Sequence, residues 1–309
     1  MTSAPSLLVI AGATATGKTG LAVRTALALR ADGIPAEIIS ADSRQVFTGL
    51  DIGTAKVTVQ ERQGVPHHGL DLVDPDQPFS IADFNDHVAT VLPRIAAAGG
   101  IGILVGGTGL YLRAIARGID TDALPSDPTI RAKIEAELLD AGLEPLAQRL
   151  RALAPSRAAG IDLQNPRRVV RALEIATIDG GTGPLPARRG YPGPVAWVGL
   201  APDARHEEWI RTRAQAQFDG SLLDEAAALR RRFDPTLPPF SAISYREAWA
   251  VLDGTLAVDA AVAAVTQRSV AFAKRQRTWF RAEPGIEWLG ATDPGLDARA
   301  IGAARTLLG

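Results

Sequence analysis

Over the first third of the chain, short unbroken apolar runs alternate with apolar positions at helical spacing. Residues 7–11 (Leu-Leu-Val-Ile-Ala) run apolar up to a glycine, which predicts a strand buried on both faces. Residues 17–30 follow with Leu21, Ala22, Ala26 and Leu29 on one helical face, and 36–39 predict a second strand ending at Ser40-Ala41-Asp42. Residues 82–98 read as a helix, and 101–105 as a further buried strand ending at Gly106-Gly107. This alternation predicts an α/β fold, a parallel sheet flanked by helices.

From residue 120 the pattern changes. Pro125-Ser126-Asp127-Pro128 opens amphipathic helices over 129–141, 146–153 and 166–178, with no strand signal until 195–200. Residues 119–192 therefore predict an all-helical insertion, with the proline- and glycine-rich run 180–194 as its return linker. It separates a first part of the core (1–118) from a second (193–309). That second part carries helices at 205–216, 222–233, 245–252 and 258–280, then a short strand at 287–289.

Composition narrows the function classes. The chain has 309 residues, enough for about two domains, and is 46% hydrophobic and 22% charged. With 33 basic and 34 acidic side chains the net charge is −1, which excludes a uniformly basic coat but leaves room for local patches. No apolar run approaches the roughly 18 residues of a membrane span, and residues 1–8 lack the basic-then-apolar pattern of a secretion signal. No membrane partner is expected. The absence of cysteine excludes disulfides, iron–sulfur clusters and cysteine-held zinc, and fits a reducing cytoplasm, where the protein is expected. His67 and His68 have no partner at metal-ligand spacing, so they read as loop packing or hydrogen-bonding residues.

The first candidate chemistry follows the first strand. Gly12, Ala13, Thr14, Ala15, Thr16, Gly17, Lys18 and Thr19 fit G-x4-G-K-[ST] between a strand and a helix. The glycines let several backbone N–H groups turn toward one anion. The helix N-terminus and Lys18 add positive charge, and the Thr19 hydroxyl can hold Mg²⁺. The loop predicts a bound di- or triphosphate without saying whose. A kinase or ATPase would also place an acidic residue for the metal at a strand end. Residues 101–105 end instead in Gly106-Gly107-Thr108, while Asp42 follows the other core strand and is open to that role.

Four further blocks occur in order behind the loop: Ser40-Ala41-Asp42-Ser43-Arg44-Gln45, Asp51-Ile-Gly-Thr-Ala-Lys56, Val105-Gly-Gly-Thr-Gly-Leu-Tyr111 and Lys274-Arg-Gln-Arg-Thr-Trp-Phe280. Together they resemble the tRNA dimethylallyltransferases, also called tRNA isopentenyltransferases, over nearly the whole chain. The resemblance implies a P-loop NTPase-like core whose loop grips dimethylallyl diphosphate rather than ATP, with Mg²⁺ as cofactor. The five-carbon group then goes to N6 of the adenosine immediately 3′ of a tRNA anticodon. Asp42 matches the family's general base, and adenine N6 needs one because its lone pair is delocalised into the ring. Lys18, Thr19 and Arg213, the last in Trp209-Ile-Arg-Thr-Arg213, match the groups that stabilise the leaving diphosphate.

The resemblance also implies an acceptor side. Asp42, Ser43, Arg44, Gln45 and Thr108 would surround the flipped-out base. Arg131 and the run Arg167, Arg168, Val169, Val170 and Arg171 would meet the anticodon stem-loop from the insertion. Residues 265–281 hold Arg268, Lys274, Arg275, Arg277 and Arg281 with no acidic residue, and with Trp279 and Phe280 interleaved they read as a second RNA-facing cluster. A monomer is expected. The chain departs from the family mainly here. Asp162-Leu163-Gln164-Asn165 replaces His-Pro-Asn-Asp, Ser244-Tyr245 replaces Gly-Tyr, Phe47 replaces Tyr, and Trp209 and Val270 stand where arginines are usual. Two rival readings remain: a small-molecule P-loop kinase, and an RNA-binding relative that has lost its chemistry.

Overall fold

The first apolar run forms β1 (Ser6–Gly12), buried from Leu7 onward in a computed structural model that describes residues 4–119, 125–182 and 189–309. The chain divides into two compact units, Met1–Gly118 with Gly190–Gly309, and Ile119–Arg189. In the first unit β1 is followed by α1 (Lys18–Ala31), β2 (Ala36–Ser40), α2 (Val59–Arg62), β3 (His67–His68), α3 (Ile81–Ala97), β4 (Ile101–Gly106) and α4 (Gly109–Ala116). The second unit contains α5 (Pro128–Ala141), α6 (Leu143–Leu153), α7 (Pro155–Ala159) and α8 (Pro166–Asp179). The first unit resumes with β5 (Val195–Ala201), α9 (His206–Asp219), α10 (Leu222–Arg232), α11 (Tyr245–Leu252), α12 (Val258–Arg281), β6 (Ile286–Gly290) and α13 (Leu296–Thr306).

Among the described residues the strands form one parallel sheet in the order β3-β2-β4-β1-β5-β6. Both faces of the central strands β1 and β4 are buried, so these strands carry no polar alternation. Leu7, Val9 and Ala11 of β1 face a cluster completed by Phe84, Tyr111, Phe218 and Phe280. Leu8 and Ile10 face the opposite cluster, with Leu21, Ala26 and Leu29 of α1 and Ala300 and Ala304 of α13. Truncating a residue such as Leu8 to alanine costs about 2–5 kcal/mol. The register pairs Ala11 with Gly106 and Ser40 with Val105, so the carboxyl ends of β1, β2 and β4 lie side by side. The loops leaving those ends converge, the place where open parallel sheets bind ligands.

Five elements lie outside the sequence reading, among them the short helices α2 and α7, which bury too few residues to show a helical period. His67 and His68, expected in a loop, form a short edge strand pairing with Ile38 and Ile39. Two residues are too few to carry a period, and edge pairing uses backbone groups whatever the side chains are. Helix α13 has a weak signal because its buried positions Ala300 and Ala304 are small. Helix α4 begins directly after the glycines of its loop and buries Tyr111, Leu112 and Ile115.

The helical unit has its own core of Ile134, Leu146, Leu150, Val169, Leu173 and Ala176. Glu174 is fully buried within it and satisfied by Arg131 (2.9 Å), Arg171 (2.8 Å), the Ser126 hydroxyl and the Asp127 N–H. Asp127 and Asn165 cap α5 and α8, each before a proline in the first turn. Part of the predicted return linker, residues 183–188, lies outside the described residues. Tyr191 belongs to the first unit, where its hydroxyl donates to the Pro5 carbonyl at 2.7 Å.

Candidate active site

The loop after β1 turns on two glycines. Gly12 (φ 150°) passes so close to β5 that a Cβ there would lie 2.9 Å from the Leu200 carbonyl oxygen, and Gly17 (φ 83°) precedes α1 in a left-handed conformation. No side chain caps α1 and its first turn holds no acidic residue, so its N–H groups are open to an anion.

Cations converge on this loop. Lys18 donates from Nζ to the Ala13 carbonyl, and burial lowers its pKa to about 7, helped by the nearby Arg213 guanidinium and opposed by Asp42. Arg213 donates to the Thr14 hydroxyl at 2.8 Å, and burial lowers its pKa also. Two positive groups desolvated against one another are poised for a negative ligand, which would favour the charged form of Lys18 and offset the desolvation of Arg213. Thr19 stands exposed on the same cavity.

The cavity encloses about 340 Å³ and is lined by Thr14–Thr19 without Thr16, by Asp42, Gln45, Gly106 and Gly107, and by Trp209, Arg213, Phe272 and Gln276. Asp42 enters it from the end of β2. Its Oδ1 accepts the N–H groups of Arg44 (2.8 Å) and Gln45 (3.4 Å), a turn that fixes the carboxylate against the backbone. Thr108 braces that turn by accepting the Ser43 N–H at 3.2 Å. The structure therefore brings together the loop, Lys18, Thr19, Asp42, Gln45 and Arg213.

Other expected contacts take different places. Arg44 bonds the Pro238 carbonyl and the Ser241 hydroxyl. In the helical unit Arg167 and Arg168 are exposed, but Arg131 and Arg171 pair with Glu174. Val169 and Val170 are buried, because an outward stripe three and four residues apart leaves the positions between it facing inward, so their side chains are not on an RNA-facing surface. In the first unit Phe280 is a core residue, Trp279 packs under Arg113 (4.2 Å), and Arg268 pairs with buried Glu247. This corrects the reading of 265–281 as one RNA-facing cluster: only Lys274, Arg275, Arg277 and Arg281 of its named residues are exposed. The block from Asp51 to Lys56 is anchored by buried Lys56, held by Asp51 (2.6 Å), Asp71 (2.5 Å) and the Phe47 carbonyl, and its Thr54 and Ala55 line the cavity.

Gln276, quoted in the sequence only within its block and without a role, and His206, not singled out at all, both reach the loop. Gln276 accepts the Thr14 N–H and His206 Nε2 donates to the Thr14 carbonyl, both at 2.8 Å. A signal for Gln276 existed. Ser269, Ala273, Gln276 and Phe280 form one buried stripe of α12, so the neutral residue among the cations is the one facing inward.

Residues 45–283 match the family described as IPP transferase. A tRNA dimethylallyltransferase of Anaeromyxobacter sp. (strain K) is 43% identical over 92% of this chain and 92% of its own length. Another, from Thermobifida fusca (strain YX), is 39% identical over 96% and 93%. The crystal structure of the full-length tRNA isopentenylpyrophosphate transferase from Bacillus halodurans superposes with a TM-score of 0.69 at 34% identity, covering 97% of this chain and 95% of that one. This chain belongs to the IPP transferase family. It is a prenyltransferase built on a P-loop NTPase-like core.

Within the family pattern, the departures have distinct physical settings. Trp209 lines the cavity, and Val270 packs by the loop with Ala13, Ile210 and Ala273. Ser244 holds φ 100°, a conformation natural to glycine, and its N–H is bonded by Glu247. Asn165 caps α8 through the Arg168 N–H at 3.3 Å, as an aspartate would. Phe47 is buried, edge-on to Phe79.

Proposed function

We propose that this chain transfers the dimethylallyl group of dimethylallyl diphosphate to N6 of the adenosine 3′ of the anticodon in tRNA. One observation carries the reading: Lys18, Thr19 and Arg213 share a single cavity with the Asp42 carboxylate. The loop N–H groups, Lys18 and Arg213 bind the diphosphate and oppose the charge that grows on it as the allylic C1–O bond breaks. N6 supplies the electron pair of the new C–N bond, the electrons of the old bond leave on the diphosphate oxygen, and Asp42 takes the N6 proton. A positioned base of this kind contributes about 10²–10⁴-fold.

Mg²⁺ suits this donor set. Among the described residues no group of three or more His, Cys, Asp or Glu could hold a metal by itself. Mg²⁺ characteristically takes one or two protein oxygens and completes its shell from phosphate and water. Thr19, with the diphosphate, would hold it, and when bound it adds positive charge against the leaving group. On the acceptor side, exposed Arg167 and Arg168 support contact with the RNA backbone. We read the protein as a cytoplasmic monomer, and no helix among the described residues is long and apolar enough to cross a membrane.

Mass spectrometry of tRNA nucleosides after incubation with dimethylallyl diphosphate tests the reading. N6-dimethylallyladenosine is expected. ATP consumption with unmodified tRNA would favour a kinase. Salt-sensitive tRNA binding without prenyl incorporation would favour a relative that has lost its chemistry.

A further inference from the structure

Thr14 is held on three sides: its N–H by Gln276, its carbonyl by His206, and its hydroxyl by Arg213. Gln276 does more than accept one bond. Its Nε2 donates to the Gly107 carbonyl at 3.0 Å, so one buried carboxamide ties the loop after β1 to the loop after β4. Both partners are main-chain atoms, so no rotamer change in either loop releases the bridge. An N–H directed at a side-chain oxygen is also withdrawn from the anion, which leaves the diphosphate to the amides nearer α1.

Gly107 is the counterpart of this tether. A Cβ there would stand 2.3 Å from Gln276 Nε2, while its next neighbours, Gln276 Cδ and the Gly12 carbonyl oxygen, lie at 3.4 and 3.5 Å. Gly107 is not among the residues with positive φ. Its lack of a side chain therefore serves the carboxamide rather than the backbone conformation. Two motifs distant in the sequence thus interlock, with Gly107 making room for Gln276.

We infer that Gln276 is a positioning residue for the prenyl donor, setting the shape of the phosphate loop through Thr14 and Gly107 without touching the acceptor. The inference rests on the reading of the cavity as a diphosphate site. The test is calorimetric titration of dimethylallyl diphosphate into the wild-type chain, Gln276→Ala, Gly107→Ala and the double variant, with steady-state kinetics and tRNA binding alongside. Each single substitution should weaken donor binding about tenfold, the worth of one buried hydrogen-bonding group, and raise the donor KM in step. The tRNA Kd should stay within about twofold, as expected of a group acting on the loop alone. In the double variant the vacated space accepts the new Cβ, so its donor affinity should be no worse than that of either single variant.

Gln276→Met keeps the side chain's length and fills the same space, and it serves if the alanine variant does not fold. Donor affinity unchanged in Gln276→Ala and Gln276→Met would overturn the inference, as would single effects that simply multiply in the double variant. Equal loss of tRNA and donor affinity would make Gln276 a general structural residue and overturn it too. A wild-type chain that binds no dimethylallyl diphosphate would instead remove the reading of the cavity, and this one with it.

Discussion

The two regions assigned to substrate are built on opposite principles. In the phosphate loop polar groups are held by the protein's own atoms: Lys18 by Ala13, Thr14 by three partners, Asp42 by two backbone N–H groups. The arginines of α8 divide instead, Arg171 joining Arg131 on a buried carboxylate while Arg167 and Arg168 face solvent. The difference matches the ligands proposed for the two regions. A small diphosphate at a reacting centre demands fixed dipoles in a water-poor site. A long polyanion is held by exposed charge at little cost in organisation, and salt weakens that hold.

The sharpest way to break this contrast is Asp42→Ala. It should lower kcat about 10²–10⁴-fold while leaving tRNA affinity within about threefold, read by single-turnover transfer and filter binding. An active variant would remove the general-base role.

Glu174→Ala tests whether the other region contains a committed centre of its own. Two arginines would lose their buried partner, but both are already partly exposed and can turn to water, so the loss should be about 2 kcal/mol rather than that of a fully buried pair. Chemical denaturation with a probe in the helical unit would measure it, and an unchanged midpoint would contradict it.

A subtler effect comes from Lys18. In the free loop its pKa is lowered to about 7 from 10.5, and a bound diphosphate favours the charged form. Binding should therefore take up a proton above pH 7, and donor affinity should fall as pH rises from 7.5 to 9, by at most about tenfold per unit. Stability of the ligand-free protein runs the other way. The unfolded chain binds the extra proton between about 7 and 10.5, so stability rises with pH across that window. Calorimetry in buffers of different ionisation enthalpy reads the proton uptake directly, and none at pH 8 would show the loop charged from the start.

The smallest effect belongs to the exposed arginines. Arg168→Ala should weaken tRNA binding several-fold and reduce the slope of log K against log salt by about one. An unchanged slope would return Arg168 to the role of a solvated helix residue.

Much of this was legible from residue order alone. The apolar run of β1, the phosphate loop and α1 announce themselves because hydrophobic period and glycine placement are local properties. The same locality explains what stayed hidden. Trp279 and Phe280 sit among cations in the sequence, yet one packs beneath Arg113 and the other in the core. Val169 and Val170 sit between arginines in the sequence and face inward.

The sequence by itself determined the longer strands and helices and the existence of an anion loop, since each depends on neighbours a few positions apart, and its motif blocks carried the resemblance that implies prenyl transfer. Only the tertiary structure decided which cations are desolvated beside Asp42, which are spent on Glu174, and that a glutamine of α12 reaches back across 262 residues to the phosphate loop. Those outcomes depend on which faces are buried against which strands, and burial is a property of the packed chain that no local window contains.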